Sequence, residues 1–385
     1  MKTVSSSSEG RQPHAQYLER RYFPEMDGLR AFSILAVVAH HAGVGFGRPY
    51  LAVVLFFLIS GFLITTLLLR ERAETGRISL RTFWARRALR IFPLYYAAIA
   101  IYVVLVLLLQ RDTAVGRQFF SNLPYFATCT SNWFVNLDQG SRIIFYFSWT
   151  VATEVQFYLL WPPILALTRR WLVPVAAMTA LMVVSAVSRY LTHSGEVDGA
   201  AVGFRILNSI SVPIGVGCLM AFGLQWKTGF DVVHRVAGRW WSGPLSLTLL
   251  AAAWPIRAIP EEVFFPLLGW LLLSTVVREG SGLQLLLANP VVLHLGKVTY
   301  GIYLLHMLML NLARQVIGPT HIVADFVVAV IATVIVASLS YRYYERPFMR
   351  LRLRPAAKRT PTSLDEASAP GLVPTRVTSG GTGER

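Results

Sequence analysis

The sequence predicts an all-α, polytopic membrane helix bundle of about ten transmembrane helices with both termini cytoplasmic. Three observations carry this. Of 385 residues, 54% are hydrophobic and only 15% are charged, where a soluble domain carries about 25% charge. Apolar runs of membrane-spanning length fill most of the chain. Basic residues collect in alternate connections between those runs, as they do on the cytoplasmic side of membrane proteins.

The expected spans are 29–47, 50–69, 91–109, 147–168, 171–190, 206–225, 244–259, 262–277, 295–312 and 322–341. The second and third contain no charged residue, while the seventh and eighth are short and flanked by proline. The stretch 70–90 holds Arg70, Arg72, Arg77, Arg81, Arg86, Arg87 and Arg90. Arg169 and Arg170, then Lys227, Arg235 and Arg239, then the run from Arg342 to Arg354 follow later spans. With ten crossings, all of these fall on one side together with the N-terminal tail. Residues 1–21 read as a polar tail, 22–354 as the membrane domain and 355–385 as a disordered cytoplasmic tail, rich in Pro, Ser, Thr and Gly. The first 21 residues lack the apolar core of a signal peptide, so the first span is expected to act as its own insertion signal.

The net charge of +16 would suggest nucleic acid in a soluble protein. In a membrane protein it follows from topology, so no nucleic-acid partner is expected; membrane lipids are. Cys218 lies in an apolar run and Cys129 in a polar loop, which argues against a disulfide, and no His or Cys spacing suits a metal.

Ionisable groups inside spans are costly and mark function by default. His41, Glu154 and His306 stand out. Counted at about 1.5 Å per residue from the expected span ends, all three lie roughly 9–11 Å below the outer interface. Two imidazoles and a carboxylate at one depth would make a proton-transfer site. The alternative is that each is polar glue between helices. His40 points about 100° away from His41, so only one of the pair faces the bundle. Arg30 shares a face with His41, three turns away, and Arg87 and Arg90 share another. Such arginines either anchor the helix at the interface or bind phosphate. Ser60 and Gly61 lie mid-span and are read as packing residues, because no nucleophile-elbow context surrounds Ser60.

Six stretches together resemble the acyltransferase 3 family of integral membrane O-acyltransferases over roughly 22–350. They are MDGLRAFSILAVVAHH (26–41), LFFLISGFLIT (55–65), FWARRALRIFPLYY (83–96), SWTVATEVQFYLLWP (148–162), LGKVTYGIYLLH (295–306) and YERPF (344–348). The family's Arg-x10-His motif falls on Arg30 and His41, its paired arginines on Arg87 and Arg90, and its Trp-Ser-Leu-x-x-Glu segment on Trp149 through Glu154. A second glutamate common in that segment is Val155 here.

The resemblance implies an enzyme that moves an acyl group, acetyl above all, from acyl-CoA to a hydroxyl of a carbohydrate, glycolipid or glycosylated metabolite such as a macrolide. It implies a multi-pass protein of the cytoplasmic membrane with no permanently bound cofactor. His41 would be the general base and Glu154 its orienting partner. Arg30, Arg87 and Arg90 would hold the phosphates of coenzyme A, and Ser60, Trp149, Tyr300 and His306 would support the substrates. The chain carries no hydrolase-like domain after the membrane region, which favours a smaller or lipid-linked acceptor. The alternative is a proton-coupled transporter or flippase of a glycoconjugate, because intramembrane His and Glu also build proton relays; no internal repeat supports it.

Overall fold

The computed structural model describes residues 12–45, 47–136, 143–199, 201–256, 258–318 and 321–351. The expected tail at 355–385 and residues 1–11 lie outside the described residues. Among the described residues there are helices and their connections but no strand. The helices are α1 (Pro13–Glu19), α2 (Pro24–Ala42), α3 (Pro49–Thr75), α4 (Leu80–Leu109), α5 (Ala114–Ala127), α6 (Ser131–Phe134), α7 (Ser148–Leu167), α8 (Leu172–His193), α9 (Val202–Asn208), α10 (Val212–Gln225), α11 (Lys227–Ala237) and α12 (Ser242–Ala253). They continue with α13 (Phe264–Val276), α14 (Gln284–Leu287), α15 (Pro290–Ile317), α16 (Ile322–Ser340), a π-turn (Tyr341–Glu345) and α17 (Arg346–Arg350).

Local sequence explains the ends. Pro24, Pro49 and Pro290 open α2, α3 and α15, where a missing N–H leaves no bond unmade. Gly43 and Gly76 close α2 and α3 at φ of 87° and 75°, a conformation that side chains disfavour. Between these ends most residues are apolar, and backbone hydrogen bonding within each helix is what hydrocarbon demands.

Among the described residues, six stretches are long and apolar enough to cross a membrane: α3, α4, α8, Val202–Gln225 (α9 with α10), α15, and Ile322–Arg350 (α16 through α17). The protein is therefore an all-helical, multi-pass membrane protein. The other four expected spans also fall on helices, α2, α7, α12 and α13. However, α2 carries Glu25, Asp27 and Arg30 near its start, and α12 and α13 have only 12 and 13 residues. A count of ten crossings does not follow from length and apolarity.

Several expected boundaries move. α3 runs on to Thr75, and α4 begins at Leu80 instead of 91, so Arg70, Arg72, Arg87 and Arg90 are helical. Two of these arginines fasten the structure. Arg70 donates to the carbonyls of Tyr17 and Arg20, tying down α1, and Arg72 donates to the carbonyls of Leu165 and Thr168 at the open end of α7.

The α2–α3–α10–α15 packing positions everything that follows. A Cβ on Gly61 of α3 would come within 2.0 Å of the Ile214 carbonyl oxygen on α10, and one on Gly217 within 2.2 Å of the Leu58 oxygen. Gly296 of α15 abuts the Asp27 oxygen of α2 in the same way, at 2.3 Å. Without a hydrophobic drive between helices in lipid, close backbone approach supplies the packing. Gly61→Ala is expected to destabilise the purified protein by about 1–3 kcal/mol, the usual penalty of overpacking. Thermal unfolding in detergent measures it, and an unchanged midpoint would show that α3 and α10 can separate at no cost.

Candidate active site

α2 ends one residue after His41. Its neighbour His40 is exposed, whereas His41 turns into the bundle. There His41 Nδ1 lies 2.8 Å from Nε2 of His306 on α15, which is fully buried. His306 Nδ1 lies 2.6 Å from the Tyr303 carbonyl oxygen, and His41 Nε2 lies 2.6 Å from the Tyr146 hydroxyl.

These four groups have one consistent arrangement of protons with both rings uncharged. The Tyr303 carbonyl can only accept, so His306 Nδ1 carries a proton. A neutral His306 then accepts at Nε2, so His41 donates from Nδ1. His41 Nε2 is left with a lone pair, and the phenol of Tyr146 donates to it. Arg314 of α15 donates to the His41 carbonyl at 2.9 Å and so holds the last turn of α2 in place.

Tyr146 is aimed by the segment before α7. Phe145 has φ of 64°, unusual for a bulky residue. Its ring packs among Tyr95, Tyr102, Phe126 and Phe147, with the Phe147 centroid 4.9 Å away. That aromatic cluster holds the strained backbone in place. Tyr303 is fixed from the same segment, its hydroxyl donating to the Phe147 carbonyl at 2.6 Å while accepting from Thr150.

A second group lies toward the other end of α2. Arg30 is eleven residues before His41, roughly 16 Å along the axis. Its side chain is 15% exposed, pairs with Asp27 at 3.5 Å and lies near the Phe56 ring, while its Nε has no partner among the described residues. Arg87 sits over the rings of Phe83 and Tyr158 at 5.6 and 5.7 Å. Arg30, Arg87 and Arg90 lie within electrostatic reach of one another. Three guanidiniums so close repel each other, and a multivalent anion would relieve that repulsion.

Glu154 of α7 stands between the two groups. Its Oε1 accepts from Ser60 of α3 at 2.5 Å, and its charged neighbours are Arg30 and Arg87. The expected pairing of Glu154 with His41 is not made, since both nitrogens of His41 are taken by His306 and Tyr146. The shared depth holds for His41 and His306, whose rings meet, although the helix ends lie elsewhere than expected. His41 is at the end of α2, Glu154 is six residues into α7, and α15 runs eleven residues past His306. Ser60 likewise corrects its expected packing role: it is buried, but as a hydrogen-bond donor, while the adjacent Gly61 does the packing.

A narrow cavity of about 40 Å³ lies beside Glu154, lined by Ser33, Phe57, Thr150, Tyr300 and Tyr303 among others. Tyr300 is held by donating to the Ile91 carbonyl on α4 at 2.8 Å. Trp149 lies outside this cavity, its ring edge-on to Phe57 at 6.0 Å. Sequence reasoning passed over Tyr146, Tyr303, Arg314 and Glu345. Glu345 is buried in the π-turn, a helix irregularity frequent at functional sites, and is within reach of Arg90. Its only sequence signal was its place in YERPF; Tyr146 had none.

A family model described as an acyltransferase domain matches residues 23–342. The chain belongs to the acyltransferase domain family. The match covers Arg30, His41, Arg87, Arg90, Glu154 and His306. The peptidoglycan O-acetyltransferase OatA of Listeria monocytogenes is 26% identical over 86% of this chain and 56% of its own length. A provisionally named O-acetyltransferase of Staphylococcus aureus is 28% identical over 87% of this chain and 58% of its own. A Bacillus subtilis protein provisionally named a peptidoglycan O-acetyltransferase is 29% identical over 88% and 57%. The chain thus spans just over half the length of the curated relatives it matches. No solved structure matches it.

The proton arrangement of this acyltransferase domain is directly testable. Nitrogen-15 NMR of histidine-labelled protein is expected to show His41 and His306 both as neutral rings protonated at Nδ1. Tyr146→Phe should move the His41 Nε2 resonance and leave both Nδ1 protons in place. Protonation of His41 at Nε2 would reverse the chain and leave no lone pair facing Tyr146.

Proposed function

We propose that the chain is a membrane O-acyltransferase that transfers an acyl group from acyl-CoA to a carbohydrate hydroxyl, with His41 as general base. The observation that carries this is the Tyr146 hydroxyl, 2.6 Å from His41 Nε2. A hydroxyl at that position and distance is placed as an acceptor hydroxyl must be for proton abstraction. The relatives' names support acetyl as the acyl group and a polysaccharide such as peptidoglycan as the acceptor class; they lend no support to a macrolide.

In this mechanism His41 Nε2 takes the proton as the acceptor oxygen attacks the thioester carbonyl. The positive charge forming on His41 is stabilised through Nδ1–H by His306, whose own Nδ1–H is held by the Tyr303 carbonyl. Collapse of the tetrahedral intermediate breaks the carbon–sulfur bond, and His41 returns the proton to the departing thiolate. Arg30, Arg87 and Arg90 hold the phosphates of the donor, with the unpartnered Arg30 Nε available to them. The thioester arm then has to cover the distance from the arginines to His41. Glu154 limits the repulsion among the arginines and holds the empty site in register.

The protein is placed in the cytoplasmic membrane with ten crossings, both termini and the arginine group inside. A helix on each of the ten expected intervals supports this, as does the clustering of Arg30, Arg87 and Arg90 at the end of α2 away from His41. In a protein lacking Cys129 and Cys218, a cysteine at Leu80 should resist an impermeant thiol reagent added outside intact cells. Labelling from outside would refute the orientation.

Two sets of variants test the chemistry. His41→Ala is expected to lower transfer per folded molecule by about 100-fold or more, with acyl-CoA affinity retained. Near wild-type turnover on that basis would make His41 a packing residue. Arg87→Ala and Arg90→Ala should raise KM for acyl-CoA, and raising salt should weaken donor binding in the wild type. Unchanged donor affinity in the double variant would remove the arginines from the donor site.

A further inference from the structure

One polar cavity is used by nothing above. It occupies about 750 Å³ among α6, the first turns of α7, the last turn of α8, α9 and the start of α10. Its walls combine two kinds of surface. Tyr50 and Trp149 supply aromatic faces, while Asn132, Asn208, Arg189 and Arg205 supply polar groups. Flat rings with fixed amides beside them suit a sugar, which offers apolar C–H faces and a rim of hydroxyls.

The amides are fixed by their own contacts. Asn132 and Gln156 exchange hydrogen bonds at 2.8 and 2.9 Å, and Gln156 also donates to the Cys129 carbonyl. Asn208 accepts from Ser188 at 2.7 Å and donates to Thr192 at 3.2 Å. Trp133 holds Ser209 from behind at 2.9 Å. Arg189 donates to the Asn208 carbonyl at 2.7 Å. Neither Arg189 nor Arg205 has a carboxylate partner among the described residues. Two such guanidiniums in one cavity suit an anionic ligand.

The cavity meets the catalytic one at a single ring. Phe57 lines both, with Thr150 and Glu154 on one side and Trp149 and Thr153 on the other. A sugar resting on Trp149 is therefore separated by the Phe57 ring from the narrow cavity that Glu154 and Tyr303 line.

We propose that this cavity is the acceptor site, and that it selects a glycoside carrying an anionic substituent, which Arg189 and Arg205 bind. This rests on the acyl-transfer reading. Its test is therefore binding rather than turnover, made with full-length protein carrying His41→Ala so that no transfer occurs. The probes are a tetrasaccharide alternating N-acetylglucosamine and glucuronate, and the same tetrasaccharide with its carboxylates reduced to alcohols. The charged sugar should bind about 10-fold or more tightly, and raising salt should erode that preference. Arg205→Gln should bring the two affinities within about twofold while retaining the reduced sugar; that retained binding also reports an intact fold. Arg189→Gln is the second variant, and Trp149→Ala should weaken both sugars alike. The reduced tetrasaccharide with an anomeric phosphate shows whether the selected charge sits on the sugar or at a glycosyl phosphate linkage. Equal affinities for charged and reduced sugars in the parent protein would overturn the proposal, as would a preference unmoved by salt or by both arginine changes. Retained transfer in His41→Ala with charge-selective binding intact would instead overturn only the catalytic reading.

Discussion

A carbonyl oxygen can accept a hydrogen bond but never donate one, and that restriction sets the direction of every proton in the site. The Tyr303 carbonyl fixes His306, His306 fixes His41, and His41 presents a lone pair to Tyr146. In hydrocarbon an unmatched polar group costs several kcal/mol, so such a chain survives only when each link is filled. The cost of burying two histidines is offset by completeness, and the by-product of completeness is a base of defined tautomer. The same network ties the C-terminal end of α2 to α15, with Arg314 closing the last turn. Geometry and chemistry therefore have one cause here.

The second constraint is distance. Arg30 and His41 share α2, and a rigid helix keeps them roughly 16 Å apart. No phosphate bound at the arginines can reach the base; only a long arm extending from it can. A narrow cavity, not a wide one, lies beside Glu154, Thr150 and Tyr303. Glu154 accepts a hydrogen bond from Ser60 there. Glu154 is thus better understood through its arginine neighbours than through the distant imidazole.

Much of this was legible in the sequence, and the exceptions have physical reasons. Helices followed from hydropathy, and the importance of His41, His306 and the arginines followed from the expense of polar groups in apolar runs. The choice of His41 over His40 needed only helical periodicity and a family motif. The depth argument brought His41 and His306 together correctly but did not find the partner of Glu154. It counted residues from span ends placed by hydropathy, but α2 stops where Gly43 can adopt positive φ, not where apolarity ends. α4 begins eleven residues before its expected start because arginines are good helix formers even where they are poor membrane residues. Tyr146 was invisible for another reason. Its role depends on the left-handed backbone of Phe145, and that conformation is held by Phe147 and by three rings distant in sequence, which no local pattern encodes.

The placement of Phe57 links these constraints to specificity. Donor and acceptor approach the same base, and the thioester must meet a sugar hydroxyl more readily than it meets water. An open junction between a 750 Å³ polar cavity and the catalytic cavity would flood the latter. A single aromatic ring, braced edge-on by Trp149, divides the two while leaving only one side chain to displace. A sugar that binds Trp149 changes the very contact that braces Phe57. If the polar cavity is the acceptor site, the sugar therefore bears directly on the ring that keeps its water from the narrow cavity, which is where selection of acceptor over solvent would be made.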